Sequence, residues 1–386
     1  MKKALVIGGS SGIGTAVCLS LLKRGYDFVY IADKNELKVK LGREDHSLLK
    51  EKSTFIKIDL FKKDLSPLKN ITDIDTLIIT AGFGRVAKFE SLTECEINKL
   101  IEVDLTSAIK VIKLYYDKIK SNQDFYTAVM VSICGHITSP LFSVYSAAKS
   151  GLASFIKSVN SELAAENYSN RILDVSPGVI NGTSFTQKET ILSELDNISN
   201  SIIDKMLNRE TLYIPRYDEV YKGVIEKDRA DFIKFGVESY NHKMKQGRLT
   251  DKPQVVVGYL SGTFDLFHIG HLNLLKRAKE HCDYLIVGVH ESGSWKGKET
   301  FIPFEERLEI IRSSKYVDEA YVSLDEDSDA WDLYHFDKLF VGNDYKGSER
   351  FNRYEEYFKD KGVEIVYFPY TQGTSSTQLR EKLSKK

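Results

Sequence analysis

Two histidines, His268 and His271, close the run Ser-Gly-Thr-Phe-Asp-Leu-Phe-His-Ile-Gly-His at residues 261–271. An apolar run at 255–260 precedes it and helical spacing at 272–278 follows, which predicts a strand, a glycine-containing turn and a helix opening on both imidazoles. Side chains at i and i+3 share one helix face. A strand-to-helix turn also aims backbone N–H groups and the positive end of a helix dipole at one point, where phosphates can sit. The chemistry this suits is reaction at a nucleotide's phosphates. A second set lies in the first half. Tyr145 and Lys149 are spaced i, i+4 in a predicted helix at 146–158, and Ser132 ends the predicted strand 129–132. An ammonium beside a phenol lowers the phenol's pKa. Near a dinucleotide the three suit reversible carbonyl reduction: Tyr145 donating the proton, Ser132 holding the carbonyl, Lys149 tuning the tyrosine and binding the nicotinamide ribose.

Each set needs elements to hold it. A strand pattern at 4–7 runs into Gly8-Gly9-Ser10-Ser11-Gly12-Ile13-Gly14 and a helical pattern at 16–22. Glycines there let the chain turn tightly, approach a pyrophosphate and pack helix on strand. The strand 28–32 ends at Asp33, which can accept from an adenosine ribose and repels a 2′-phosphate. NAD is therefore slightly favoured over NADP, with the neighbouring Lys34 acting against it. Strands at 54–58, ending at Asp59, and at 76–80, ending in Ala81-Gly82, continue the alternation. The second half repeats it. Strand 284–289, a polar segment with Lys296 and Lys298, helix 303–313 with Glu306-Arg307, and strand 337–341 leading to Gly342-Asn343-Asp344 follow in order. Strand 363–368 then reaches Thr371-Gln372-Gly373-Thr374-Ser375-Ser376-Thr377 and a helix start near Gln378, a second phosphate cradle.

The chain has 386 residues, 42% hydrophobic and 28% charged, with a formal net charge of -1. Such a balance excludes a long-range field that gathers nucleic acid or acidic membrane. The four cysteines are far apart and form no C-x-x-C pair, which points to a reduced, cytoplasmic compartment. The apolar start breaks at Gly8-Gly9, too soon for a signal peptide, and no run approaches a membrane span. A zinc reading of the histidine pair lacks further ligands at suitable spacing, so no metal site is expected from protein side chains. Residues 226–252 turn charged, with Gly236, Gly247 and Pro253. The expected plan is two Rossmann-like, doubly wound parallel-sheet α/β domains in tandem: 1–235, a linker 236–253, and 254–386.

Residues 2–183 resemble the short-chain dehydrogenase/reductases. The likeness rests on the glycine turn, Asp59, Thr80-Ala81-Gly82, Ser132 with Gly135, Tyr145 with Lys149, and Pro177-Gly178-Val179 with Thr183. It implies NAD(P)H as cofactor, held by Gly8, Ser10, Ser11, Gly12, Ile13, Gly14, Asp33, Asp59, Leu60, Ala81, Gly82, Asp104, Pro177, Gly178 and Thr183. Departures are Ile7 for a threonine, Ile79 for an asparagine, and Asp104 where the family's proton relay has asparagine, adding charge near Lys149. The family's final strand, with its Asp-Gly-Gly ending, is not visible, and 184–227 reads as two or three helices.

Residues 255–383 resemble the H-x-G-H nucleotidyltransferases, glycerol-3-phosphate cytidylyltransferase and its relatives above all. This resemblance implies CTP as substrate with Mg²⁺, and His268, His271 and Lys298 as catalytic groups. The nucleotide contacts it implies are Gly262, Thr263, Phe264, Asp265, Arg307, Gly342, Asp344, Thr371, Gly373, Thr374, Ser375, Ser376 and Thr377. Tyr370 stands where the family has arginine, and Ser375-Ser376-Thr377 where it has Ser-Thr-Thr. Asp265-Leu266, where ATP enzymes often have Asp-Pro, tilts the reading from ATP to CTP. Together the two resemblances imply a bifunctional, homo-oligomeric enzyme. It would reduce a keto or aldehyde sugar phosphate and load the alditol phosphate onto CMP, giving a CDP-alditol for a cell-surface polymer. The alternative is a monofunctional cytidylyl- or adenylyltransferase whose reductase-like domain serves assembly or regulation.

Overall fold

A computed structural model describes residues 1–37, 39–180, 191–250, 255–292, 300–369 and 379. The chain divides into two compact units, Met1–Lys252 and Pro253–Lys386. In the first, seven strands alternate with helices: β1 (Lys3–Ile7), β2 (Phe28–Asp33), β3 (Ser53–Lys57), β4 (Thr76–Ile79), β5 (Tyr126–Met130), β6 (Ile172–Val175) and β7 (Leu212–Tyr213). They form one sheet in the order β3-β2-β1-β4-β5-β6-β7, parallel at every pairing. Successive strand residues point to opposite faces. Leu5, Ile7, Leu77 and Ile79 accordingly join one core, over which Leu152 and Ile156 pack. Ala4, Val6 and Ile78 join the other, against Val17, Leu21, Ile202 and Ile203. Helices cover both faces, which is why β1 and β4 read as continuous apolar runs instead of alternating ones.

The second unit contains β8 (Val257–Gly262), β9 (Tyr284–Val289), β10 (Glu319–Val322), β11 (Lys338–Gly342) and β12 (Glu364–Phe368). Their order is β10-β9-β8-β11-β12, again all parallel. Both units are doubly wound parallel α/β sheets, as expected. In such sheets ligands bind outside the carboxyl ends of the strands where the winding reverses. That point lies between β1 and β4 in one unit and between β8 and β11 in the other. The glycine turn follows β1 and the histidine pair follows β8, so the topology puts each set at a reversal point.

Two sequence readings change. The final strand of the first unit exists as β7, pairing Asp174 with Leu212 and Val175 with Tyr213. Two residues carry too little pattern to register as a strand. Before it, the helix Leu192–Leu207 lies on the helix Gly12–Lys23, where Ser20 and Ser199 hydroxyls bond at 2.9 Å. The stretch read as a linker is also folded. Asp231 caps the helix Phe232–Lys245 by accepting from Lys234 N, and Tyr240 and Leu249 pack against buried Leu141, Phe142 and Tyr145. Among the described residues no helix is long and apolar enough to cross a membrane.

Candidate active sites

The glycine turn after β1 is a cradle with no room for side chains. Gly8 has φ +87°, and a Cβ there would lie 2.4 Å from Ala81 N. A Cβ on Gly14 would lie 2.1 Å from the Gly8 carbonyl oxygen. Thr80, standing after β4, donates its hydroxyl to the Ile7 and Gly8 carbonyls at 3.1 and 3.0 Å, locking β1 to β4 beneath the turn. Ser11 is the N-cap of Gly12–Lys23 without a side-chain capping bond, which leaves the helix start to an anion. Asp33, at the end of β2, accepts from Ser10 N at 3.1 Å and Lys34 N at 2.7 Å. Lys34 pairs with Asp59 at 3.5 Å. Asp59 also accepts from Phe61 N, Leu60 is buried, and Ile13 packs on the core beside the turn. Pro177 accepts from Ile133 N at 2.9 Å, bringing Gly178 to the same mouth. Thr183 lies outside the described residues.

The helix Ser143–Ala165 carries Tyr145 and Lys149, both buried. Lys149 Nζ donates to the Met130 carbonyl at 3.0 Å and stands 5.7 Å from the Tyr145 ring centroid. Ser132, just past β5, accepts from Cys134 N and hydrogen-bonds Tyr145. Ser132, Tyr145 and Lys149, the three residues expected to act on a carbonyl, therefore lie together. Its electrostatics differ from the expectation. Asp104, on the wide turn Glu102–Thr106, forms an ion pair with Lys149 at 3.1 Å and accepts from Phe83 N. Burial pushes the Asp104 carboxyl up to about 6 despite the ammonium beside it. Burial first, and then the Asp104 charge, hold the Tyr145 phenol well above its usual range, against the Ser132 hydrogen bond. Lys149 was expected to lower the tyrosine's pKa; its charge is instead largely taken by Asp104.

The structure adds groups that the motifs did not point to. Tyr221 stands over Gly178, where a Cβ would lie 1.6 Å from the tyrosine oxygen. Gly236 faces Thr138 and Pro140, Lys243 Nζ donates to the Pro140 carbonyl at 2.8 Å, and Thr250 N donates to Val86 O at 3.0 Å. Arg85, paired with buried Glu96 at 2.7 Å, donates to the Thr250 carbonyl. Residues 232–250 thus run from the loop after β5 to the loop after β4, across the carboxyl edge of the sheet.

In the second unit Phe264 and Leu266 adopt left-handed φ of +52° and +51°, turning the chain sharply from β8 into the helix Ile269–Glu280. His268 is that helix's N-cap. Gly270 N donates to His268 Nδ1 at 3.0 Å, and His268 N donates to His271 Nδ1 at 3.4 Å. An Nδ1 that accepts puts the proton of a neutral imidazole on Nε2, so capping fixes both tautomers as Nε2–H donors. Burial lowers the His268 pKa, favouring the neutral ring. The two rings lie 4.0 Å apart, with Phe264 edge-on and Phe267 stacked against His271.

Other expected nucleotide contacts turn out to build the site's frame. Asp265 Oδ1 accepts from Phe301 N and Ile302 N at 3.0 Å each. Arg307, expected at a base or phosphate, is 0% exposed. Four of its five N–H groups go to the carbonyls of Ile302, Thr263, His290 and Glu291. It ties the loop after β8 to the loop after β9. Gly262 closes β8 against the Phe264 ring, and Gly342 closes β11 with the Asp344 carboxylate folded over it. Beside β8, buried Asp327 accepts from Ser261 at 2.8 Å; no motif signalled it. Lys298, Thr371, Gly373, Thr374, Ser375, Ser376 and Thr377 lie outside the described residues.

Residues 2–191 match the short chain dehydrogenase family, and residues 259–382 the cytidylyltransferase-like family. The glycerol-3-phosphate cytidylyltransferase of Bacillus subtilis (strain 168) is 35% identical over 127 residues, 32% of this chain and 93% of that protein. That of Staphylococcus aureus (strain NCTC 8325 / PS 47) is 33% identical over 129 residues, 32% of this chain and 90% of the relative. Carbonyl reductase family member 4 of Xenopus tropicalis is 30% identical over 180 residues, 46% of this chain and 75% of the relative. A solved short chain dehydrogenase from Burkholderia cenocepacia J2315, in complex with NADP, aligns at TM-score 0.49 and 20% identity, covering 62% of this chain and 99% of that one. The chain belongs to both families, a short chain dehydrogenase in its first unit and a cytidylyltransferase-like nucleotidyltransferase in its second.

Proposed function

We propose that this chain, an oxidoreductase fused to a nucleotidyltransferase, makes a CDP-alditol in two steps. The first unit reduces a keto or aldehyde sugar phosphate with NAD(P)H. The second transfers CMP from CTP to the resulting alditol phosphate and releases pyrophosphate. The observation that carries the reading is the pairing, in one chain, of a Ser132–Tyr145–Lys149 set beside a glycine turn at the reversal point of the first sheet with a His268–His271 set at the reversal point of the second. Reduction before activation is the direct order, because an open-chain polyol phosphate is one reduction away from its ketose phosphate.

The glycine cradle, closed to any Cβ at Gly8 and Gly14, fits a nicotinamide dinucleotide, and Asp33 tilts the choice towards NAD. Bound there, the cofactor supplies the hydride. Ser132 orients the carbonyl, and Tyr145, kept protonated by burial and by Asp104, donates its proton to the carbonyl oxygen. In the second unit a phosphate oxygen of the alditol phosphate attacks the α-phosphorus of CTP, and the bond to the pyrophosphate oxygen breaks. The Nε2–H groups of His268 and His271 donate to the phosphate oxygens as charge builds there. Lys298 and the hydroxyls of residues 374–377 are proposed on the same phosphates. Mg²⁺ is proposed on the triphosphate itself, where this ion usually sits, since no cluster of three or more ligating side chains occurs among the described residues.

Supply of a cell-surface polymer precursor and a homo-oligomeric state belong to the same proposal, on family likeness. A cytoplasmic place of action is supported by four cysteines, none of which forms a disulfide. One observation favours a second reading, a cytidylyltransferase with a reductase-like assembly module: Lys149 is neutralised by Asp104. The test is pyrophosphate release from CTP across a panel of ketose phosphates, with and without NAD(P)H. Release that depends on NAD(P)H supports the two-step reading. Release from alditol phosphates alone, indifferent to Tyr145→Phe, supports the second.

A further inference from the structure

The wall across the reductase site contains two cations, Lys243 and Arg248. Lys243 is half-buried near the end of the helix Phe232–Lys245 and Arg248 follows in the next turn, and among the described residues neither pairs with an acidic group. Lys243 Nζ lies 5.2 Å from the Phe142 ring centroid, and the Phe142 ring lies 5.6 Å from that of Tyr145. One aromatic ring therefore separates the ammonium from the phenol. Burial presses the Lys243 pKa down, the Cys134 side chain facing it acts the other way, and the neighbouring Arg248 charge lowers it further.

The segment is held in place at three points. Lys243 donates to Pro140 O, Leu249 packs with Tyr240 on the Tyr145 cluster, and Thr250 bonds Val86 and Arg85. A surface decoration needs no such fastening. The fastened segment holds Lys243 one aromatic ring away from the Tyr145 phenol.

We infer that Lys243 and Arg248 bind the phosphate of the carbonyl substrate, so that the reductase site selects phosphorylated ketoses or aldoses over free ones. The inference rests on the reductase reading of the first unit and names the residues that recognise the phosphate of its substrate. A terminal phosphate stands several bonds from its sugar's carbonyl, so the cations that hold it belong at a remove from the phenol, as Lys243 is with the Phe142 ring between. Its dianion provides the missing counter-charge, and an ammonium with a guanidinium gives charge-assisted donors from two directions.

The experiment compares kcat/KM for ketose phosphates with kcat/KM for the same ketoses unphosphorylated, in wild type, Lys243→Met, Arg248→Met and Lys243→Arg. Losing one charge-assisted contact should lower the phosphorylated-to-free ratio by about tenfold to a hundredfold, chiefly through KM, and Lys243→Arg should restore most of it. An unchanged ratio in both Met variants overturns the inference while leaving the reductase reading intact. If wild type reduces no carbonyl in the panel, the reductase reading fails instead. The site is then tested by calorimetry of inorganic phosphate binding to full-length protein whose nucleotide site is saturated with CTP. Weaker binding in the double Met variant supports the site, and equal binding overturns it.

Discussion

Replacing Asp104 by asparagine should move the pH limit of carbonyl reduction downwards. Reduction needs Tyr145 protonated, so its rate falls as pH rises through the tyrosine's pKa. In the native protein that pKa is high because burial disfavours phenolate and the Asp104 charge repels it. The magnitude follows from the geometry. At an effective dielectric of about 20, the Lys149–Asp104 contact at 3.1 Å is worth about 5 kcal/mol, and the Lys149 charge acting 5.7 Å away at the phenol ring about 3 kcal/mol. The nearer carboxylate thus cancels most of what the ammonium offers the tyrosine. An uncharged asparagine releases that attraction, and about 3 kcal/mol corresponds to about two pH units. The sign holds only where Asp104 is ionised. With its pKa raised to about 6, the carboxylate is charged above that pH and neutral below, so the two proteins should converge as pH drops under it. The assay is the initial rate of NAD(P)H oxidation against pH, paired with ultraviolet titration of the phenolate using Tyr145→Phe as blank. An alkaline limb that stays put, or moves up, would refute the electrostatic reasoning.

Other outcomes are equally specific. His268→Asn keeps a good helix N-cap but removes an Nε2–H donor. It should leave thermal stability near wild type and lower CMP transfer by roughly two to three orders of magnitude, with NAD(P)H oxidation unaffected; comparable loss of both activities would argue against separate sites. Arg307→Met strips the donors from four carbonyls and should destabilise the second unit by at least about 3 kcal/mol in urea unfolding. Lost CMP transfer at unchanged stability would return Arg307 to the ligand.

The residues that were legible from sequence are those whose chemistry demands fixed types at short spacing. The glycine turn, Tyr145 with Lys149, and His268 with His271 are all local patterns, and the alternation of strand and helix around them fixes a doubly wound sheet. What escaped was set by long-range packing. Asp104 could be seen as an odd residue, but the contact that spends the Lys149 charge joins two helices. Arg307 was expected at the nucleotide because the family resemblance puts it there; only long-range packing reveals four backbone carbonyls as its partners. Residues 236–253 looked like a linker because their composition is charged. Tyr240 and Leu249, the two side chains that pin them, are too sparse to make a pattern. Strand β10, Glu-Ala-Tyr-Val, is short and half polar, as an edge strand can be.

The central claim is tested most directly by identifying products with mass spectrometry after incubation with a ketose phosphate, NAD(P)H and CTP. Wild type should yield a CDP-alditol, and His271→Ala should stop at the alditol phosphate. Tyr145→Phe should make nothing from the ketose phosphate yet form the CDP-alditol when given the alditol phosphate. A CDP-alditol formed from the ketose phosphate by Tyr145→Phe at the wild-type rate, or no cytidylylated product from any polyol phosphate, would contradict it.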